Sequence, residues 1–112
     1  MNNEINKLLE DIKADFVRWA SRGGEKELTS YFAEKVANYD DLLTVKEGTK
    51  YIKIINDGSV WGFVVNTDND KKFRKGDILK AAGYNAPARN KSRGNILDGG
   101  YTINWTGPLY LI

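Results

Sequence analysis

Between residues 71 and 93 the chain places eight cations: Lys71, Lys72, Arg74, Lys75, Lys80, Arg89, Lys91 and Arg93. Asp77 is the only acidic residue in that interval, and Phe73 and Tyr84 interleave with the charges. Lysines and arginines that line one surface neutralise phosphates and release counterions, which gives affinity without sequence preference. Asn85, Asn90, Ser92 and Asn95 add groups able to hydrogen-bond to a nucleic-acid backbone or to base edges. The candidate nucleic-acid-binding set is therefore Lys71, Lys72, Arg74, Lys75, Lys80, Tyr84, Arg89, Lys91 and Arg93. The competing structural reading is a lysine-rich loop that keeps a β-rich protein soluble and its edge strands unpaired.

Other chemistries are poorly supplied. The 112 residues include no Cys and no His. Thiol catalysis, disulfide scaffolds and thiolate zinc sites are excluded, and the commonest general base near neutral pH is missing. Asp68-Asn69-Asp70 resembles the start of a calcium loop. Such a loop needs Gly at its sixth position and Glu at its twelfth, where this chain has Phe73 and Leu79. TDND reads as a polar turn, and no metal site is expected. Neither a GxGxxG nor a GxxxxGK[ST] pattern is present, so no nucleotide or other small-molecule cofactor is implied. A non-enzymatic protein is expected.

Charge is segregated along the chain. Residues 1–47 carry seven cations and ten anions, whereas residues 48–112 carry ten cations and five anions. One acidic and one basic face would follow, the basic one suited to polyanions. No apolar run approaches the roughly 20 residues that span a bilayer, and MNNEINKLLEDIK lacks the features of a secretory signal. A cytoplasmic protein with no membrane partner is expected.

The elements that must hold the basic segment are legible as a change of period. Ile5, Leu8, Leu9, Ile12, Phe16, Trp19 and Ala20 recur at spacings of three and four, predicting a helix over 3–20 capped by Asn2 or Asn3. Leu28, Tyr31, Phe32, Lys35, Val36 and Tyr39 predict a second helix over 26–38, joined through Ser21-Arg22-Gly23-Gly24 as an αα-hairpin. From Leu42 short strands follow: LLTV, TKYIKII, SVWGFVV, GDILKAA and one or two within YTINWTGPLYLI. Asn56-Asp57-Gly58 is a hairpin turn signal. Strict alternation sets Tyr51, Lys53 and Ile55 against Ile52 and Ile54, and Trp61, Phe63 and Val65 against Val60, Gly62 and Val64. Both faces carry large apolar residues, so the sheet should be covered on both sides or closed on itself. Gly62 predicts a bend or a close approach. Tyr51, Lys53, Trp61 and Phe63 would either form an outward platform for bases or fill the interface with the helices. Asn85-Ala86-Pro87 could start a short helix ended by Gly94, with Arg89 and Arg93 projecting together. The expected fold is α+β: one domain over 1–112, with an N-terminal helical hairpin (1–40) on a small, strongly curved antiparallel sheet or SH3-like barrel. Its β-rich part (41–112) would carry a short basic helix or loop at 85–94.

SVWGFVV, KKFRKGDILKAAGYNAPARN, RGNI and WTGPLYL together resemble short accessory proteins of tailed bacteriophages, over about residues 45–112. The resemblance implies a phage accessory protein acting inside an infected bacterium and carries over no catalytic or binding residue. FRKGDIL also resembles the loop-strand entry of small SH3-like barrels. The reading that follows is a nucleic-acid-binding module with a basic surface. The alternative is a protein-binding effector that inhibits a host enzyme or defence system through an exposed aromatic patch or the acidic helices.

Overall fold

In a computed structural model of the chain, which describes residues 1–21 and 30–108, Ile5, Leu8, Ile12 and Phe16 form the buried stripe of helix α1 (Asn2–Ala20). Full burial of such side chains contributes about 1.5–3 kcal/mol each, so the stripe sets how α1 lies. Asn2 and Asn3 sit inside the first turn and do not cap it. Met1 holds the cap position, its carbonyl accepting the Ile5 N–H at 2.9 Å. The described part of the second helical stripe is α2 (Ser30–Ala37), followed by the one-turn α3 (Tyr39–Leu42). Asn38 makes the break: its side-chain amide donates to the Glu34 carbonyl at 3.0 Å, and its own carbonyl accepts the Asp41 N–H at 3.0 Å. Residues 26–29 of the expected helix, and Arg22-Gly23-Gly24 of the expected turn, lie outside the described residues. So do residues 109–112.

Strands β1 (Leu43–Glu47), β2 (Tyr51–Asn56), β3 (Ser59–Val65) and β4 (Ile78–Leu79) form one antiparallel sheet in that order. β2 turns into β3 through Asp57 (φ 51°) and Gly58 (φ 80°). Two consecutive positive φ values give the type I′ geometry that matches the twist of a two-residue hairpin. Two smaller ladders follow, β5 (Ala81–Gly83) with β6 (Ala86–Pro87) and β7 (Ile103–Asn104) with β8 (Gly107–Pro108). GDILKAA is thus divided at Lys80 between two sheets. Among the described residues β1 and β4 remain the two edges of the four-stranded sheet, and the pairing does not close into a barrel.

A bulge decides which aromatic faces which way. Ile54 pairs with Gly62 while Ile55 pairs with Val60, so Trp61 is the extra residue on β3. An inserted residue breaks the two-residue period. Trp61 therefore leaves the face of Phe63 and Val65, and the expected grouping of the three is corrected. Trp61 joins Ile52, Ile54, Val64 and the α1 stripe in the main core, with Tyr39 stacked on Phe16 at 4.9 Å. Phe63 and Val65 pack with Leu79 and Phe73 on the opposite face, flanked by Tyr51. Strands β2 and β3 thus bury apolar side chains on both faces, while β1 stays largely exposed. Gly62 marks a close approach: a Cβ there would lie 2.9 Å from the Leu79 carbonyl oxygen and 3.1 Å from Pro108.

The C-terminal arm is tied back to α1 by two carboxylates. Tyr101 donates its hydroxyl to Asp11 at 2.8 Å, and the Trp105 N–H donates to Asp15 at 2.8 Å. Among the described residues no helix is long and apolar enough to cross a membrane.

Candidate nucleic-acid interface

The loop after β3 is organised by Asp70. Its Oδ1 accepts the N–H groups of Lys72 (2.8 Å) and Phe73 (2.9 Å), an Asx turn that sends Phe73 into the second core. TDND is a turn built around a carboxylate. The same carboxylate receives Arg89 in a two-bond fork at 2.8 and 2.9 Å, and Arg89 also donates to the Tyr51 hydroxyl. The guanidinium lies 5.0 Å from the centre of the Phe73 ring. The Arg89 fork, followed by the two backbone donors, holds the Asp70 carboxyl well below the usual carboxylate range, while the bonds to Asp70 and then to the Tyr51 hydroxyl raise Arg89.

A pH dependence follows from that direction. A carboxyl lowered in the folded state adds stability that is fully present above its unfolded pKa of about 3.9 and is lost as pH falls through the folded value. In urea titrations the stability gap between the wild type and Asp70→Asn should hold from neutral pH to about pH 4 and narrow below it. A gap that stays constant into strong acid contradicts the Asp70–Arg89 account.

No helix forms at 85–94. Tyr84 and Asn85 turn the chain so that Ala86–Pro87 pairs with β5, and the Ala88 N–H donates to the Lys80 carbonyl at 2.7 Å. Asn85 is committed to the hairpin instead of a helix cap, and Pro87, which lacks an N–H, is tolerated in a two-stranded edge ladder. Arg89 and Arg93 therefore do not project together. Arg93 is buried, with Nε 3.2 Å from the Lys91 carbonyl and Nη2 3.3 Å from Asn90 Oδ1. Arg74 forks onto Asp98 at 2.9 and 3.2 Å. Lys72 donates to the Arg89 carbonyl at 2.6 Å. Asp77, the acid within the basic segment, takes the Arg74 N–H and the Asn95 side-chain amide instead of a cationic side chain. The cations are thus opposed by Asp70 and Asp98 from the flanks, a correction to the linear reading.

What the fold assembles is a concave basic surface on the face of the sheet turned away from α1. A cavity of about 610 Å³ is lined by Thr49, Lys50, Tyr51, Thr67, Asn69, Asp70, Lys71 and Arg89. Beside it, sharing Thr49, Lys50 and Tyr51, a second of about 360 Å³ is lined further by Lys46, Glu47, Lys53, Phe63 and Asn85. Five cations face two carboxylates across the pair, and Asp70 is already matched to Arg89. Lys46 and Lys53 stand directly opposite one another in the β1–β2 register. Like charges opposed across a ladder destabilise it, so this pair breaks a local rule in the way functional surfaces do. Lys53 reaches Asn85 Oδ1 at 2.6 Å and lies 4.2 Å from the centre of the Tyr84 ring.

Of the nine candidate residues, Lys71 and Arg89 line this surface, Lys72 touches it only through the Arg89 carbonyl, and Tyr84 stands at the edge through Lys53. Arg74 and Lys75 belong to the Asn95–Asp98 side, where Asn95 donates to the Lys75 carbonyl at 3.0 Å. Lys80 links β4 to β5, and Lys91 is exposed beside Arg93. Lys46, Lys50 and Lys53 were not in the linear set because they belong to the β1–β2 hairpin. Their signal was the outward alternation of Tyr51 and Lys53 across the turn from Lys46. Compared with family models, curated proteins and solved structures, the chain matches none.

Proposed function

We propose that the chain is a non-enzymatic nucleic-acid-binding module whose basic groove contacts the phosphate backbone. The opposition of Lys46 and Lys53 beside Lys50 and Lys71 carries this reading. The exposed ammonium groups of Lys46, Lys50 and Lys71 form no ion pair among the described residues, and phosphates entering the groove relieve the crowding of charge there. In keeping with the resemblance of residues 45–112, the setting proposed is the cytoplasm of a phage-infected bacterium, with the protein acting as a one-domain phage accessory factor. The likeness of FRKGDIL to SH3-like barrels belongs to the same reading.

The test is an anisotropy titration of labelled DNA and RNA between 50 and 200 mM KCl. About four phosphate contacts predict a loss on the order of 50–150-fold in affinity across that range. Flat, salt-insensitive titrations would sink the proposal. The second reading, a protein-binding effector acting on a host enzyme or defence system, is favoured by one observation: Trp19 and Tyr31 are 53% and 68% exposed on the helical side. A stoichiometric protein partner retained from nuclease-treated bacterial lysate, and lost in Trp19→Ala, would select it.

A further inference from the structure

Resting on the proposed nucleic-acid reading, we infer that the groove takes a single strand with splayed bases, stacked on the Arg89 guanidinium and the Tyr84 ring, and excludes duplex. Two planar groups present faces at or beside this surface, and Arg89 is held in place from behind. The Arg89 plane is fixed along its edge by both oxygens of Asp70 and by the Tyr51 hydroxyl, with Phe73 against it at 5.0 Å. Its side chain nevertheless keeps 41% of its surface, and that surface lines the 610 Å³ cavity. Tyr84, at the tip of the β5–β6 hairpin, is 53% exposed while the Lys53 ammonium sits at its ring.

A fixed guanidinium plane and an exposed aromatic ring are the surfaces on which unpaired bases stack. Base faces in a duplex are covered by their neighbours and cannot reach either plane. The polar groups of the rim suit the same ligand. Lys50 and Lys71 are placed for flanking phosphates, and the Asn69 side chain for a base edge that pairing would otherwise occupy. The two adjacent cavities, of about 610 and 360 Å³, are on the scale of single nucleotides.

The experiment uses the full chain and three labelled probes of equal length: a mixed-sequence 12-nucleotide DNA strand, that strand annealed to its complement, and an abasic strand. The inference predicts that the single strand binds at least tenfold more tightly than the duplex or the abasic strand. Tyr84→Ala should weaken single-strand binding by roughly tenfold and be rescued by Tyr84→Phe. Tyr84 is 53% exposed, so its truncation should leave the fold intact, which unchanged urea midpoints would verify. Equal binding of all three probes, or a single-strand preference untouched by Tyr84→Ala, overturns the stacking inference and leaves the basic-groove reading standing. No binding to any probe overturns both.

Discussion

Phe16→Ala should destabilise the fold by about 3–5 kcal/mol, the largest effect of any single substitution in α1. Phe16 is 1% exposed and is the point where four elements meet. Its ring stacks on Tyr39 at 4.9 Å and meets Trp105 edge-on at 5.1 Å and Phe32 at 6.1 Å. Trp19, one turn on, leans against it at 5.9 Å. Truncation removes the transfer energy of the ring and opens a cavity that stiff aromatic neighbours cannot collapse around. Domains of this kind have roughly 5–15 kcal/mol in total, so urea denaturation should show a midpoint shifted by a large fraction of its value with little change in slope. A loss under about 1 kcal/mol would show that α1 does not organise the core.

Replacing Lys46, Lys50 and Lys71 together by Gln should weaken nucleic-acid binding on the order of 100-fold at 100 mM salt and reduce the slope of log K against log salt by about 2–3. All three side chains are exposed, so the fold loses no burial. Removing Lys46 also relieves its repulsion of Lys53 across the ladder. Stability should therefore stay level or rise slightly while affinity collapses. That divergence separates a functional surface from a structural one, because residues that merely support the groove would lose both together. The matched control is Lys75→Gln with Lys91→Gln, which lie outside both cavities and should cost little affinity.

The sequence carried the parts of the fold that depend on period and turn chemistry. The α1 stripe, the Asp57-Gly58 hairpin and the close approach at Gly62 could all be read from residue types alone. The bulge at Trp61 could not, since one inserted residue leaves the apolar pattern of SVWGFVV unchanged while reversing where its tryptophan points. At the candidate site, the density of cations between Lys71 and Arg93 was visible, but their neutralisation was not. Asp70 and Asp98 lie outside that interval and reach Arg89 and Arg74 only through the fold. The same limit hid the lysines of β1 and β2, which are distant in sequence from Lys71 and Arg89. NAPARN was open to a helix because Asn85 and Pro87 suit a helix start, and pairing with β5 outweighed that local preference.

The most direct measurement is an amide chemical-shift titration of the isotope-labelled chain with a short oligonucleotide. The account predicts that Thr49, Lys50, Tyr51, Asn69, Lys71, Asn85 and Arg89 shift together, on one binding curve, and that α1 stays still. Shifts confined to Trp19 and Tyr31, or none at saturating oligonucleotide, would contradict it.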